Sequence, residues 1–276
     1  MIMRRAIFID LDGTLFDNRK EVSARNKRAI KATMDAGHEV VLCTARSVPF
    51  VKVLMGELGL RYAVCCCGGI VYDGEEDRIL FEKTLPTEIL EQVLKLAEDY
   101  EYAVSLPAGK RTFRNYEESP KRDRYSDEME VFTEPLEEFL KKVRPAYLSL
   151  YSFSFADFRK LYLDFVEAGV EIESIAKELV ENDPRPRPGI HKGVYYIEMT
   201  APNISKGSGL RFMLEHLGLG RESAVAIGDS YNDLSMFREC DTRVAMGNAI
   251  VALKEVATHV VARNEDDGVA EFLESL

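Results

Sequence analysis

Phe8-Ile9-Asp10-Leu11-Asp12-Gly13-Thr14-Leu15-Phe16-Asp17 (FIDLDGTLFD) is the stretch on which the fold turns. The apolar run Ala6-Ile7-Phe8-Ile9 stops abruptly at one carboxylate, and a second follows two residues later. Residues i and i+2 of a strand share a face, with backbones roughly 6–7 Å apart. Two carboxylates about 6 Å apart repel by about 3 kcal/mol at an effective dielectric of roughly 20. A bound cation is the natural offset. An EF-hand is one competing reading, since Glu21 stands twelfth from Asp10. It fails because Leu15 occupies the position that needs glycine and the preceding segment is strand-like. A purely structural role for both aspartates is the plain alternative.

The pattern around this stretch alternates strand and helix. Ala6–Ile9 reads as a strand, Ser23–Ala36 as a helix with Ser23 as N-cap and Gly37 closing it, and Glu39–Cys43 as a second strand. Val48–Leu58 is a helix ended by Gly59, and Tyr62–Cys66 a third strand. The last third repeats this grammar: helix Ser208–Leu217, strand Ala224–Ile227, helix Leu234–Arg238 and strand Arg243–Met246, then helix Val251–Val256, strand His259–Ala262 and helix Val269–Leu276. Short, nearly all-apolar strands between amphipathic helices predict an α/β fold, a doubly wound parallel sheet covered on both faces.

The middle of the chain differs. A hairpin around Ile70–Phe81 with its turn at Asp73-Gly74 leads to a helix at Glu88–Tyr100. Strands at Tyr102–Leu106 and Arg111–Arg114, a helix at Leu136–Val143, a strand at Ala146–Phe153 and a helix at Ala156–Ala168 follow. Strands near Val170–Ile175 and Gly193–Met199 complete it, with Pro184–Pro188 as a loop. The longer alternating strands predict an α+β unit, an open sheet with helices on one face. Residues 1–83 and 194–276 are thus expected to form one domain, and 84–193 a second domain inserted into it.

Composition sets bounds on function. With 276 residues, 46% hydrophobic and 30% charged, the chain can bury a substantial core. A net charge of -11 argues against nucleic acid or an anionic membrane as partner, but not against an anionic substrate. Asp10 interrupts the N-terminal apolar run too soon for a signal sequence, and no stretch approaches the roughly 18 apolar residues of a membrane span. A cytoplasmic location is the expectation. Cys43, Cys65, Cys66, Cys67 and Cys240 make a poor disulfide framework; three adjacent thiols along a strand would point to alternate faces. The four histidines, His38, His191, His216 and His259, show no zinc-ligand spacing with them.

Polar residues mark the predicted strand ends: Asp10 and Asp12, Thr44, and Gly228-Asp229-Ser230-Tyr231-Asn232-Asp233. Ser205-Lys206-Gly207 opens a helix and could reach the same edge. In an open parallel sheet, ligands bind beyond the carboxyl ends of the strands. A lysine in a helix's first turn opposes the helix dipole, a conflict that a bound anion resolves. Asp229 and Asp233, one helical turn apart, can share a site. Joined, these parts describe phosphoryl transfer. No serine or cysteine is paired with a histidine base, so a carboxylate is the nucleophile. Asp10, Asp229 and a backbone carbonyl suit Mg²⁺, and Thr44 and Lys206 suit phosphoryl oxygens. Asp12 suits protonation of the leaving oxygen and activation of water.

That arrangement resembles the haloacid dehalogenase (HAD) superfamily, specifically the Cof-like subclass IIB with its type C2 cap. Asp10-x-Asp12-Gly-Thr-Leu is similar to its first motif, Thr44 to the second, Lys206 to the third, and Gly228-Asp229-Ser-x-Asn232-Asp233 to the fourth. Glu198, the Asn203–Gly207 stretch, Gly247-Asn248 and Asp267-Gly268-Val269 fit the same context. The resemblance implies a Rossmann-like core with the 84–193 insert as cap. It implies that Asp10 is the nucleophile and a Mg²⁺ ligand, and that Asp12 is the acid/base and ligates through its main-chain carbonyl. Asp229 would be the third protein ligand and Asp233 would support the metal shell. Asn232 and main-chain groups of Leu11 and Ala45 would contact phosphate. Two positions depart from the family pattern: Thr44-Ala45-Arg46 replaces Thr-Gly-Arg, and Cys67-Gly68-Gly69 replaces Asn-Gly-Ala.

The expected activity is Mg²⁺-dependent hydrolysis of a small phosphorylated metabolite, with sugar phosphates the leading class. A phosphomutase on the same fold and a non-catalytic phosphometabolite-binding protein are the alternatives. Arg111, Arg114, Arg124, His191 and Lys192 are the cap residues that could meet substrate, or else solvated surface charges. Oligomeric state is not legible.

Overall fold

In the computed structural model, residues 4–98, 100, 102–116, 129–152, 154–170 and 195–276 are described. The wholly apolar β1 (Ala6–Ile9) is fully buried. It leads to α1 (Ala24–Asp35), capped by the Ser23 hydroxyl, which accepts from the Asn26 N–H. β2 (Glu39–Cys43), α2 (Val48–Leu58) and β3 (Tyr62–Cys65) follow. β3 ends one residue earlier than the sequence predicts. Cys66 and Cys67 take left-handed φ values of 54° and 49°, and Gly68 follows at 97°. The three thiols therefore line a sharp turn rather than alternate along a strand. All five cysteines are free and buried. The turn hands over to β4 (Ile70–Asp73), antiparallel to β3, and then β5 (Arg78–Glu82). A tight Asp73-Gly74 turn is not what joins them. Asp73 Oδ1 instead accepts from the backbone N–H groups of Glu75 and Glu76, an aspartate-stabilised longer turn.

The middle of the chain builds a second sheet. Its parts are α3 (Thr87–Ala97), β6 (Ala103–Ala108), β7 (Arg111–Arg114), β8 (Met129–Val131), α4 (Leu136–Leu140), β9 (Tyr147–Ser152), α5 (Phe155–Glu167) and β10 (Tyr195–Thr200). The order is β10-β9-β6-β7-β8. Leu148 and Leu150 of β9 and Ile197 and Met199 of β10 pack with Val93 of α3 and Phe158, Leu161 and Phe165 of α5. Successive side chains of a strand alternate, so Tyr147, Ser149 and Tyr151 face away from those helices.

Two expectations need correction here. The short β8 was not foreseen. The boundary at 193/194 assigned β10 to the larger domain, yet β10 pairs antiparallel with β9, Tyr195 opposite Ser152 and Thr200 opposite Tyr147. Ladder bonds and the burial of Ile197 and Met199 hold it in the smaller sheet. The predicted strand near Val170–Ile175 (beyond Val170), the Pro184–Pro188 loop, Phe153 and Gly193 lie outside the described residues.

The chain then returns to the first sheet with α6 (Lys206–Leu217), β11 (Ala224–Gly228), α7 (Leu234–Phe237), β12 (Thr242–Ala245), α8 (Val251–Val256), β13 (His259–Val260) and α9 (Gly268–Leu273). The order β13-β12-β11-β1-β2-β3-β4-β5 puts β1 in the centre, parallel to both neighbours. From β1 the chain goes first to β2 on one side and later to β11 on the other. The crevice at β1 and β11 is therefore the topological switch point where such sheets bind ligands. Ile9 lies level with Ile227 and Leu42, so Asp10, Asp229 and Thr44 emerge along one edge. No helix among the described residues is long and apolar enough to cross a membrane.

Candidate active site

Four of the polar residues meet at that edge. Lys206 Nζ donates to Asp10 Oδ1 at 2.6 Å and to Asp233 Oδ1 at 2.7 Å, while its side chain keeps only 1% of its surface exposed. The Ser205 hydroxyl caps α6 in a reciprocal capping box with Ser208, so Lys206 is the helix's first residue. The Cys43 thiol donates to the Lys206 carbonyl at 3.8 Å, fastening the helix start under β2. Asp233 Oδ2 accepts from the N–H groups of Asp229 and Ser230, both at 2.9 Å, and Thr14 Oγ1 donates to Asp229 Oδ1 at 2.9 Å. One carboxylate oxygen from each of Asp10, Asp229 and Asp233 lies within 4.8 Å of the other two.

Such crowding has an electrostatic cost. Burial pushes the Asp10 carboxyl up to about 7, against the attraction of Lys206 and with added repulsion from Asp233. Burial, then the charges of Asp10 and Asp233, push Asp229 well above the usual carboxylate range. Burial works against the Lys206 ammonium, but Asp10 and Asp233 hold it charged, well above the ordinary lysine value. One lysine among three carboxylates leaves a negative, all-oxygen cluster, the donor chemistry that a hard divalent cation takes. The residues present therefore fit Mg²⁺.

Gly13, at φ 86°, bends the chain between Asp12 and Thr14, and an added Cβ would stand 2.3 Å from Asp229 Oδ2. Its carbonyl accepts from Asn248 Nδ2 at 2.7 Å. The bend turns the Asp12 side chain away from the cluster. Arg46 binds it in bidentate fashion, Nε to Oδ2 at 2.7 Å and Nη2 to Oδ1 at 2.9 Å, and Lys20 Nζ reaches Oδ1 at 2.5 Å. The Arg46 guanidinium also lies 3.8 Å from the Phe50 ring centroid. Burial would raise the Asp12 carboxyl, but the Arg46 charge and hydrogen bonds, then Lys20, outweigh it and hold it well below the carboxylate range.

Thr44, 1% exposed at the end of β2, accepts on its hydroxyl from the Arg46 N–H at 3.1 Å. Leu11 and Ala45 sit one residue beyond Asp10 and Thr44. Ala45 has no left-handed φ, so its methyl in place of the family glycine brings no backbone strain. Asn232 Nδ2 lies 3.9 Å from Cys67 Sγ, and its buried Oδ1 meets no donor among the described residues. Cys67 stands where the family has asparagine, a residue that accepts a left-handed φ more readily.

A match to the haloacid dehalogenase-like hydrolase family spans residues 7–273. The chain belongs to that family. Among curated relatives, the 5-amino-6-(5-phospho-D-ribitylamino)uracil phosphatase YwtE of Bacillus subtilis is 28% identical over 294 residues, covering 99% of this chain and 98% of its own. Among solved structures, a haloacid dehalogenase-like hydrolase from Bacteroides thetaiotaomicron is 26% identical, with a TM-score of 0.77 over 99% of both chains. The HAD subclass IIB sugar phosphatase BT4131 is 19% identical with a TM-score of 0.76, over 98% of both chains, and shows the same fold. This haloacid dehalogenase-like hydrolase is a Cof-like enzyme, and its activity is that of a phosphatase.

Sequence reasoning missed how Asp12 is held. Lys20 lies in a loop with nothing to mark it, whereas Arg46 was visible in Thr44-Ala45-Arg46 but had no role. Of the cap candidates, Arg111 is exposed and paired with Glu130. Arg114 stacks near Tyr116, 5.3 Å from its ring centroid, with a buried Nε that lacks a partner among the described residues. Arg124, His191 and Lys192 lie outside the described residues.

Proposed function

We propose that this phosphatase is a Mg²⁺-dependent phosphomonoesterase of small cytoplasmic metabolites, acting through an aspartyl-phosphate on Asp10. The leading substrates are phosphates of sugars or sugar-like polyols. The observation that carries the reading is the convergence of Asp10, Asp229 and Asp233 around Lys206. The relative YwtE is named for a ribityl phosphate and the structural neighbour for a sugar; both names put phosphate on a hydroxylated carbon chain.

Asp10, Asp229, Asp233 and the Asp12 main-chain carbonyl would hold the metal. When bound, it supplies positive charge that lowers the repulsion between Asp10 and the phosphate dianion. Asp10 attacks phosphorus and the bond to the leaving oxygen breaks. Thr44, Lys206, Asn232 and the main chain at Leu11 and Ala45 hold the phosphoryl oxygens as charge spreads over them. Asp12 gives its proton to the leaving oxygen, then takes one from the water that attacks the phosphorus of aspartyl-phosphate. The clamp of Arg46 and Lys20 keeps Asp12 ionised, so before the first transfer it has to open and Asp12 has to take a proton from solvent. The proton taken from water in the second transfer then restores the acid for the next turnover. The five-stranded unit serves as a cap that excludes bulk water.

A phosphate-release screen over phosphomonoesters, run with Mg²⁺ and with chelator, tests the reading. Free phosphate only in the presence of metal is expected and also sets the enzyme apart from a mutase. Undiminished turnover in chelator would refute the metal requirement. Asp12→Asn adds a leaving-group test. Loss of the general acid should lower kcat/KM, which covers the steps up to departure of the leaving group and not hydrolysis of the aspartyl-phosphate, by about 10²-fold or more on alkyl phosphates and distinctly less on p-nitrophenyl phosphate, whose leaving group needs no proton. Equal losses on both would remove Asp12 from that role.

The raised Asp10 and Asp229 carboxyls have a thermodynamic sign. A folded-state carboxyl above its unfolded value stabilises the fold below the unfolded value, near 4, and that stability is lost as pH rises through the folded value, which for Asp10 is about 7. For Asp10 the shift from 3.8 to about 7 corresponds to on the order of 4 kcal/mol. In chelator, the site's contribution to Tm is therefore expected to fall between pH 5 and pH 8. Mg²⁺ should raise Tm more at pH 8 than at pH 5, because the ion favours the ionised cluster. Equal Mg²⁺ shifts at both pH values would count against the cluster as the ion's site.

A further inference from the structure

We propose that the tyrosine-bearing face of the five-stranded sheet is a subsite for a planar ring carried by the substrate's leaving group, separated from the phosphate by a hydroxylated chain. The inference rests on the phosphatase reading and narrows its substrate class.

The argument follows β9 outward from the phosphate end. The Tyr147 hydroxyl lies 3.8 Å from Cys67 Sγ, the atom that also meets Asn232 Nδ2. Tyr147 packs into the core of the larger sheet rather than the helices behind its own. The face that carries Tyr147 therefore looks onto the catalytic edge. Two residues on, Ser149 Oγ donates to Glu198 Oε1 at 3.4 Å across the β9–β10 ladder, and both side chains are buried. With its single proton given to the carboxylate, the Ser149 hydroxyl and Glu198 present acceptor oxygens side by side, to which polyol hydroxyls can donate.

Another two residues on comes Tyr151, paired with Tyr196 and flanked by Tyr116. Ring centroids are 6.1 Å apart in both contacts. These tyrosines form an apolar cluster of their own, separate from the one under the helices. Tyr116 and Tyr196 remain half-buried. From Tyr147 to Tyr151 is about 13 Å along the strand. The face thus changes from phosphate neighbourhood to acceptor oxygens to an aromatic cluster, in which Tyr151 is buried and Tyr116 and Tyr196 are half-buried, over the length of a short phosphorylated polyol bearing a ring. A simple sugar phosphate would end before the tyrosines.

The test compares 5-amino-6-(5-phospho-D-ribitylamino)uracil with ribitol 5-phosphate, which share chain and phosphate and differ in the ring. Stacking on one aromatic side chain changes affinity by about tenfold or more, so wild-type kcat/KM should favour the ring-bearing ester by at least that factor. Tyr151→Leu should cut this ratio about tenfold, as should Tyr196→Leu, whereas Tyr151→Phe, which keeps the ring, should hold it within about twofold. Equal wild-type kcat/KM for the two esters, or a leucine variant that lowers both alike, would overturn the subsite. Absence of phosphate release from both esters would instead sink the phosphatase reading for them. Calorimetric Kd values for the same pair, measured on Asp10→Asn and on that variant combined with Tyr151→Leu, then decide the subsite without turnover: a tenfold preference lost with Tyr151 supports it, and equal Kd values reject it.

Discussion

Asp10→Asn is expected to lower kcat by about 10⁴-fold or more while the fold stays intact, on the scale seen when a nucleophile is removed. The asparagine oxygen can still accept from Lys206 Nζ, so the packing at the end of β1 survives. Stability should separate this loss from misfolding. The Asp10 carboxyl is held up to about 7 mainly by burial, so an uncharged amide relieves the metal-free protein of an unfavourable ionisation. In chelator at pH 8, Tm should be equal to wild type or higher, and the increase on adding Mg²⁺ should shrink. A variant that kept wild-type turnover would remove the covalent mechanism. One that lost activity together with its cooperative thermal transition would show that Asp10 matters for folding.

The second large effect belongs to Lys206→Met. Lys206 is buried against Asp10 and Asp233, and methionine nearly keeps its length while removing the charge. Breaking a buried ion pair from one side costs about 3–5 kcal/mol, because the carboxylates left behind lose their partner. For a chain of this size Tm should fall by roughly 10 °C. Added Mg²⁺ should recover part of that fall, since a cation at the three carboxylates partly replaces the lost charge. Phosphate binding should weaken as well, with kcat/KM down by about 10²-fold or more. A Tm within about 2 °C of wild type would mean that the ion pair contributes little to the folded state.

The legibility of this site follows from where each residue sits. Asp10, Thr44 and Asp229 each end an apolar run, and a parallel sheet leaves only one edge for such residues to share. Lys206 was visible as a cation at the wrong end of a helix, a local conflict that Asp10 and Asp233 resolve. The clamp on Asp12 was not visible. Lys20 approaches from a loop eight residues away, at a left-handed φ of 63°, and no periodicity reports on such a contact. Cys66 and Cys67 misled for a related reason, because their apolar character continues the strand pattern while their backbone leaves it. β8, with three residues, is too short for its alternation to register. The alternating pattern placed the strand near Gly193–Met199 with the middle unit, where β10 does pair with β9; it was the boundary drawn at 193/194 that cut it off.

The stereochemical course at phosphorus tests the central claim most directly. With a phosphorothioate monoester made chiral at phosphorus by sulfur and two oxygen isotopes, and turnover in water of the third isotope, attack by Asp10 followed by attack of water gives two inversions. Net retention of configuration in the released thiophosphate is the predicted result. Net inversion would mean a single direct displacement by water, and Asp10 could not then be the group that carries the phosphoryl moiety.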